Sequence, residues 1–212
     1  SSHRPTHSCT YARETKWSML RFPIGAFIRS LGGGGIVSTP PRIALTGTPG
    51  TGKSTCARLL SPSGYSVISI EELASSAGAL DEIDKTDDAR PVDIELLLKY
   101  LEESWKSSPQ EPVIIDGHLS HHLPTDAVVV LRCEPETLRT RLEQRDYSEA
   151  KIMSNVEWEL LGGAWNEKQG NSVWMEFNTT DTSAERVVED ILNWISDGFK
   201  PMSPEAVIDW VG

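Results

Sequence analysis

Five short runs rich in apolar residues alternate with amphipathic segments along this chain of 212 residues. They lie at 43–46, 65–69, 112–116, 127–132 and 173–177. Near-continuous apolar runs of this length are typical of parallel strands that are buried on both faces. Several intervening segments repeat apolar residues at helical spacing and begin with Ser, Asp or Pro, so we predict helices there. The pattern predicts an α/β fold of the P-loop NTPase type: a five-stranded parallel sheet with helices on both faces.

The segment GTPGTGKST, residues 47–55, lies between the first predicted strand and the first predicted helix. It contains three glycines that permit tight turns, Gly47, Gly50 and Gly52. Such a loop directs backbone N–H groups and the positive end of the helix at a polyphosphate. Lys53 follows as a point charge for the β- and γ-phosphates, and the Ser54 hydroxyl is a ligand for Mg²⁺. The strand–loop–helix context favours a phosphate loop over a glycine-rich turn that matches by chance.

An acid ends the third predicted strand: Asp116 follows the apolar residues 112–115. At the carboxyl edge of a parallel sheet, a carboxylate can orient the water shell of Mg²⁺, as a Walker-B acid does. The alternative is that Asp116 is a solvated acid at the end of a strand. We therefore predict Ser54 and Asp116 as the Mg²⁺ ligands, partly through water. His118, His121 and His122 follow closely, but no cysteine or second ligand cluster completes a metal site with them, so we do not favour one.

One positive patch stands out in the acidic part of the chain: Arg139, Arg141 and Arg145. Arginines suit phosphoryl transfer because the transition state spreads charge over the oxygens of the transferred group. The alternative is a solvated helix face with Glu–Arg pairs, and for Arg145, beside a predicted hinge, we favour function. The acidic stretch 81–88 lies between two predicted helices and is either a flap that binds the acceptor or a solvated loop.

The net charge of −11 conceals an asymmetry, because residues 1–42 carry six Lys/Arg against one acid. The remainder is strongly acidic, so we expect no direct binding of nucleic acid, and any RNA-related role would run through a basic protein partner. No apolar run approaches the length of a membrane span, so we expect no membrane association. The widely separated Cys9, Cys56 and Cys133 fit a reducing compartment, and we expect a cytoplasmic protein.

Residues 1–41 show no sustained period and contain four consecutive glycines at 32–35. We predict a disordered extension there, although the Arg- and Ser-rich, acid-poor composition also fits a targeting segment or an over-extended start. The predicted kinase domain covers 42–197. A tail over 198–212 follows, and we expect it to pack back through Trp210.

Several separate stretches, in the right order, resemble the adenylate kinase isoenzyme 6 family of small nucleotide kinases, particularly its archaeal members. They are GTPGTGKST, VIIDGHLSHHLP and the segments 129–159 and 177–195, and the resemblance covers about residues 42–197. The resemblance implies a P-loop kinase that converts AMP and ATP to two ADP, with an ATPase activity as well. It also implies a link to maturation of the small ribosomal subunit, through contact with a ribosomal protein.

The resemblance implies roles for particular residues. It implies that ATP is bound by Gly50, Gly52, Lys53, Ser54, Thr55 and Arg145. It also implies a Walker-B-like pair, Asp116 and His118, a short flap for the monophosphate near 72–95 and a lid near 144–154. Asp146 stands where the family has the glycine of an Arg-Gly-Tyr lid pattern, so we expect a less free hinge.

We predict an ATP:nucleoside monophosphate phosphotransferase that uses AMP, with ATP and Mg²⁺ bound at the phosphate loop. Lys53 and Arg145 would neutralise charge on the transferred group, and His118 would position the acceptor or a water. The alternative from another class is an assembly factor for the small ribosomal subunit and rRNA maturation, in which ATP hydrolysis switches a protein-binding state. A second alternative is a kinase of the same fold that acts on another small molecule.

Overall fold

A computed structural model describes residues 39–82, 90–203 and 205–211. Within these residues, strands and helices alternate as the apolar pattern predicts. The strands are β1 (Arg42–Gly47), β2 (Ser66–Ser69), β3 (Val113–Asp116), β4 (Ala127–Arg132) and β5 (Val173–Asn178). The α-helices are α1 (Lys53–Leu60), α2 (Ile70–Ala77), α3 (Ile94–Ser104), α4 (Pro135–Glu143), α5 (Glu149–Leu160) and α6 (Ala184–Ser196). The extension predicted over 1–41 lies outside the described residues except for 39–41.

The five strands form one parallel sheet in the order β2-β3-β1-β4-β5. The connection after β1 leads to β2 at one edge of the sheet, whereas the connection after β4 leads to β5 at the other. Because β1 and β4 are neighbours, their carboxyl ends form a topological switch point, where open α/β sheets bind ligands. The predicted P-loop NTPase fold is confirmed, and its loop 47–55 follows β1 at this point.

Both faces of the sheet are buried, and the alternation along β1 shows how. Ile43 and Leu45 pack with α1 and α6 on one face. Ala44, between them, contributes to a separate cluster on the other face together with Trp174 of β5. Because successive side chains of a strand point to opposite faces, a strand that is apolar at every position needs cover on both.

Side-chain caps fix where several helices begin. Ser69 forms a capping box with Glu72 at the start of α2, and Asp93 accepts a hydrogen bond from the backbone of Leu96 at the start of α3. Ser148 caps α5 and Ser183 caps α6 in the same way. Each cap satisfies an N–H group that the first turn leaves without a partner, so these Ser and Asp residues predict the helix starts well.

The segment 205–211 packs on the domain through three buried charges, Arg132, Glu159 and Glu176, which we call the buried ion cluster. Arg132 forms ion pairs with both glutamates, and each of the three side chains is at most 2% exposed. Trp210 donates a hydrogen bond of 3.1 Å from its indole N–H to Glu159, so the predicted packing of this tail through Trp210 is observed. No helix in the described part of the chain has the length and apolar character needed to cross a bilayer.

Candidate active site

The loop after β1 forms an open cradle at the N-terminus of α1. Gly50 and Gly52 have φ values of 95° and 94°, a backbone conformation that L side chains rarely adopt. A Cβ added to Gly52 would meet nothing within 4 Å, so this side of the loop faces open space. Gly52 also offers no side chain to cap α1. The first-turn N–H groups of the helix can therefore bind an anion.

Lys53 closes this cradle, and its ammonium group donates hydrogen bonds to the carbonyls of Gly47 (2.7 Å) and Thr48 (3.1 Å). Burial lowers the pKa of Lys53 to about 8. The carboxylate of Asp116 opposes this shift, whereas the positive charge of Arg145 adds to it. Lys53 thus lies within electrostatic reach of both residues, which belong to different parts of the sequence.

The Mg²⁺ ligands predicted from the sequence lie together. Asp116 ends β3, and Ser54 is exposed in the first turn of α1, where it is followed by the exposed Thr55. Burial raises the pKa of Asp116, and a hydrogen bond from the Ser54 side chain and the charge of Lys53 oppose the shift. A hydroxyl and a carboxylate beside an open phosphate cradle are oxygen donors that fit Mg²⁺.

His118 lies two residues beyond Asp116, close enough to Lys53 to be affected by its charge, and part of its surface remains accessible. Its pKa is lowered to about 4, mainly because surrounding protein displaces water from the ring, and then because of the positive charge of Lys53. The imidazole is therefore neutral at pH 7 and can accept a proton. We call Lys53, Asp116, His118 and Arg145 the phosphate-site cluster.

Arg145 is exposed at the turn between α4 and α5, in the predicted lid. The next residue, Asp146, has a φ of 55°, which is the left-handed conformation that a glycine adopts readily. Aspartate tolerates this conformation better than most side chains. The substitution of the family glycine therefore leaves the geometry of the turn available, although it reduces the freedom of the chain around it.

The other two arginines of the positive patch have protein partners. Arg139 pairs with Glu149 at 2.8 Å across the lid. Arg141 is not simply solvated: its guanidinium donates to the carbonyls of Thr179 (2.6 Å) and Thr180 (3.0 Å) in the loop after β5. Arg141 thus ties α4 to this loop, and Arg145 is the arginine whose charge reaches Lys53.

A pocket of about 210 Å³ opens beside the phosphate loop. Its lining includes Gly50, Gly52, Arg141, Thr179 and Thr182. Neither threonine belongs to a motif that indicates a site residue in the sequence. In the sequence, only their place in the segment 177–195, after the last predicted strand, indicates a role for these threonines. Arg141, which contacts Thr179, is far away along the chain.

The flap predicted near 72–95 has an anchored base. Leu80 and Val92 form an isolated antiparallel bridge, and the backbone N–H of Asp93 donates to the carbonyl of Ala79 at 2.9 Å. Residues 83–89, at the centre of the predicted flap, lie outside the described residues. Glu71, in the first turn of α2, places a negative charge close enough to affect the pKa of both Lys53 and Asp116.

The remaining histidines, His121 and His122, contact a glutamate that is distant in the sequence. His121 and His122 each direct Nε2 at one carboxylate oxygen of Glu167, at 2.9 and 3.2 Å. Glu167 is thus a further potential ligand beside two of the histidines, and the expectation that they do not form a metal site stays a prediction. Glu167 follows α5, and folding rather than sequence proximity brings it to the loop after β3. Burial lowers the pKa of His121, and Glu167 opposes that shift.

Comparisons with known proteins place this geometry in a family. The family model described as an AAA domain matches residues 43–162. A protein of Thermococcus onnurineus, named "Putative adenylate kinase", is 37% identical over 170 residues, which cover 79% of this chain and 90% of the relative. One of the same name from Archaeoglobus fulgidus is 40% identical over 151 residues, covering 70% and 79%.

Among solved structures, a sugar kinase from Janibacter sp. HTCC2649 has a TM-score of 0.50 at 12% identity. The match covers 77% of this chain and 99% of the sugar kinase. At that identity the likeness concerns the fold alone, and it agrees with the parallel sheet and helices described above.

Proposed function

This chain belongs to the AAA domain family of small P-loop kinases, and we propose that it transfers the γ-phosphoryl group of ATP to a nucleoside monophosphate, with AMP as the preferred acceptor. The observation that carries this proposal is the gathering of Lys53, Asp116 and Arg145 around the open cradle of the phosphate loop. The names of the archaeal relatives and the resemblance to the isoenzyme 6 family support AMP as the acceptor.

The donor nucleotide would occupy the loop and the adjoining pocket. Its phosphates would accept hydrogen bonds from the N–H groups of residues 50–55, where the N-terminus of α1 adds a positive potential. Its base would lie in the pocket between Gly52, Arg141 and the loop after β5, next to Thr179 and Thr182. A pocket of about 210 Å³ matches a base or ribose better than a complete nucleotide.

Mg²⁺ would be held by Ser54 and Asp116, partly through water, and when bound it supplies charge neutralisation for the β- and γ-phosphates. The Ser54 side chain is close enough to Asp116 to oppose the rise of its pKa, which supports a shared ligand role. Asp116 reaches this position because β3 pairs with β1 in parallel, with Asp116 beside Leu45, two residues before the loop.

In the transfer step, a phosphate oxygen of AMP forms a bond to the γ-phosphorus while the bond from that phosphorus to the bridging oxygen of ADP breaks. Lys53 and Arg145 would stabilise the negative charge on the oxygens of the transferred group. The acceptor oxygen of AMP carries no proton that must be removed, so His118 would act there by positioning the acceptor.

We propose an ATPase activity at the same site, with water in place of the acceptor. In that reaction the neutral imidazole of His118 would orient the water and accept its proton. The role in assembly of the small ribosomal subunit stays a prediction from the resemblance. It would use the same hydrolysis to switch the binding of a partner protein.

The decisive experiment incubates the full chain with ATP and Mg²⁺, adding AMP, GMP, CMP or UMP in separate reactions, and measures both nucleoside diphosphate and free phosphate. The control contains ATP and Mg²⁺ alone. We expect two ADP per ATP consumed with AMP, and little free phosphate. Equal release of phosphate with and without AMP, and no diphosphate from any acceptor, would instead support the ATPase switch.

A further inference from the structure

A second polar group borders the phosphate site, where its charges reach His118, and is unused by the proposed reaction. It consists of His121 and His122, in the short 3₁₀ helix Ser120–His122 after β3, and Glu167, which ends the 3₁₀ helix Gly163–Glu167 after α5. One ligand atom from each residue lies within 4.8 Å of the others. The side chain of His121 is fully buried, whereas those of His122 and Glu167 are 23% and 38% exposed.

Hydrogen bonding fixes the tautomer of His121. The Thr46 hydroxyl donates its proton to the backbone carbonyl of His118 at 2.8 Å. It must therefore accept from His121 Nδ1, which lies 2.9 Å away, so Nδ1 carries a proton. In the neutral imidazole, Nε2 then holds a lone pair that points at the carboxylate of Glu167. Two lone pairs at that separation repel each other unless a cation lies between them.

His122 directs its Nε2 at the same carboxylate oxygen, 3.2 Å away, so both imidazoles converge on one oxygen of Glu167. Protons would join the carboxylate to each imidazole in a separate pair, whereas one metal ion can bind all three groups at once. The separations of 2.9 and 3.2 Å lie within about half an ångström of the distance of about 3.4 Å that ligands about 2.1 Å from a tetrahedral ion have from one another.

We propose that His121, His122 and Glu167 bind a divalent transition-metal ion of the Zn²⁺ type. Two imidazoles and one carboxylate suit Zn²⁺ better than Mg²⁺, which prefers oxygen ligands. Thr46 serves as the outer partner that orients His121, as partners of metal-bound imidazoles do. The ion would join the loop that follows Asp116 and β3 to the segment that follows the helix α5.

The test is a calorimetric titration of Zn²⁺ into the full chain without nucleotide, with the wild type compared to Glu167→Gln and His122→Asn. Both substitutions affect partly exposed side chains, and unfolding in the presence of a chelator checks that the variants remain folded. We expect one ion per chain and a loss of affinity of about a hundredfold or more in each variant. The matched control replaces the potential ligands of the N-terminal extension, His3, His7 and Cys9, and should leave the affinity unchanged.

A second readout is thermal unfolding at a free Zn²⁺ concentration about a hundred times Kd. We expect the Tm of the wild type to rise by about 5 to 10 °C and that of Glu167→Gln to stay constant. Equal Zn²⁺ affinity in the wild type and Glu167→Gln, or loss of binding only in the N-terminal control, would overturn the proposal. Glu167 and the two histidines would then be joined by ion pairs alone. The proposal of phosphoryl transfer would still stand, because its assay does not measure Zn²⁺ binding.

Discussion

The phosphate-site cluster and the buried ion cluster both combine arginine with carboxylates, but they satisfy these charges differently. In the buried ion cluster, Arg132 is 1% exposed and donates to both of its glutamates. In the phosphate-site cluster, Lys53 donates to carbonyls of its own loop, and Arg145 is exposed. Protein groups complete the first cluster, whereas a ligand would complete the second.

The two clusters meet at one residue of the phosphate loop, because the Thr48 hydroxyl donates to a carboxylate oxygen of Glu159. Glu159 is near the end of α5, and its other oxygen accepts from Arg132 and Trp210. The C-terminal part of the lid helix is therefore fixed to the loop, while Arg145 lies at the exposed turn before α5. This difference predicts that substitutions in one cluster change activity and those in the other change stability.

The largest effect should follow Lys53→Met, which removes the charge that acts on the transferred phosphoryl group and keeps a side chain of similar length. We expect kcat for transfer and hydrolysis to fall about a thousandfold, or about 4 kcal/mol of barrier. The free energy of unfolding should stay constant or rise, because the charge of Lys53 is buried at a cost. Retention of more than about a tenth of kcat would contradict the assigned role.

Arg132→Met tests the buried ion cluster and should mainly change stability. It leaves Glu159 and Glu176 buried without their cation, and breaking such a group typically costs about 3 kcal/mol or more. Urea unfolding measures the loss. The matched control is Arg186→Met, because Arg186 pairs with Glu189 at the surface with 60% of its side chain exposed. That control should change the free energy of unfolding by less than about 0.5 kcal/mol. Equal losses in both variants would remove the distinction between the clusters.

His118→Ala should lower kcat about a hundredfold, with the KM for ATP nearly unchanged, because the phosphate loop still binds the nucleotide. His122→Asn is the comparison variant, since His122 faces Glu167 rather than the loop. It should retain kcat within about threefold. If His118→Ala changed only KM, the imidazole would contribute to nucleotide binding and not to the positioning of the attacking group.

The difference between the clusters also explains what the sequence could predict. The phosphate loop, Asp116 and His118 belong to contiguous motifs at strand ends, and the apolar runs specify which strands place them at one edge. The helix starts at Ser69 and Asp93 were predictable for the same local reason, since a cap bonds to its own first turn. The role of Arg145 could also be predicted from the sequence, because this residue adjoins a predicted hinge.

The sequence does not show in this way which charged residues, far apart along the chain, pair with one another in the fold. Arg132 is a polar residue at the end of an apolar strand, and its glutamates lie 27 and 44 positions further along the chain. Glu167 meets His121 across 46 positions. An acidic residue in a chain with 31 of them carries no local sign that it will be buried against one particular partner. Such pairings depend on how the connections cross the sheet, which periodicity does not specify.

The smallest effect should come from the tail, and Trp210→Phe isolates it. The change removes the hydrogen bond from the indole N–H to Glu159 but keeps an aromatic ring near Arg132, whose guanidinium carbon lies 5.8 Å from the ring centre. The same carboxylate oxygen still accepts from Arg132 and from the backbone N–H of Cys133, so no buried acceptor is left without a donor.

We therefore expect Trp210→Phe to lower the free energy of unfolding by about 1 kcal/mol and Tm by about 2 to 4 °C, with kcat unchanged. Val207→Ala is the control in the same segment, because that side chain is 74% exposed and its backbone N–H, which donates to Glu176, is retained. A large fall in kcat for Trp210→Phe at constant Tm would show that the tail acts on the phosphate loop through Glu159 and Thr48. The buried ion cluster would then be part of the catalytic apparatus rather than a support for it.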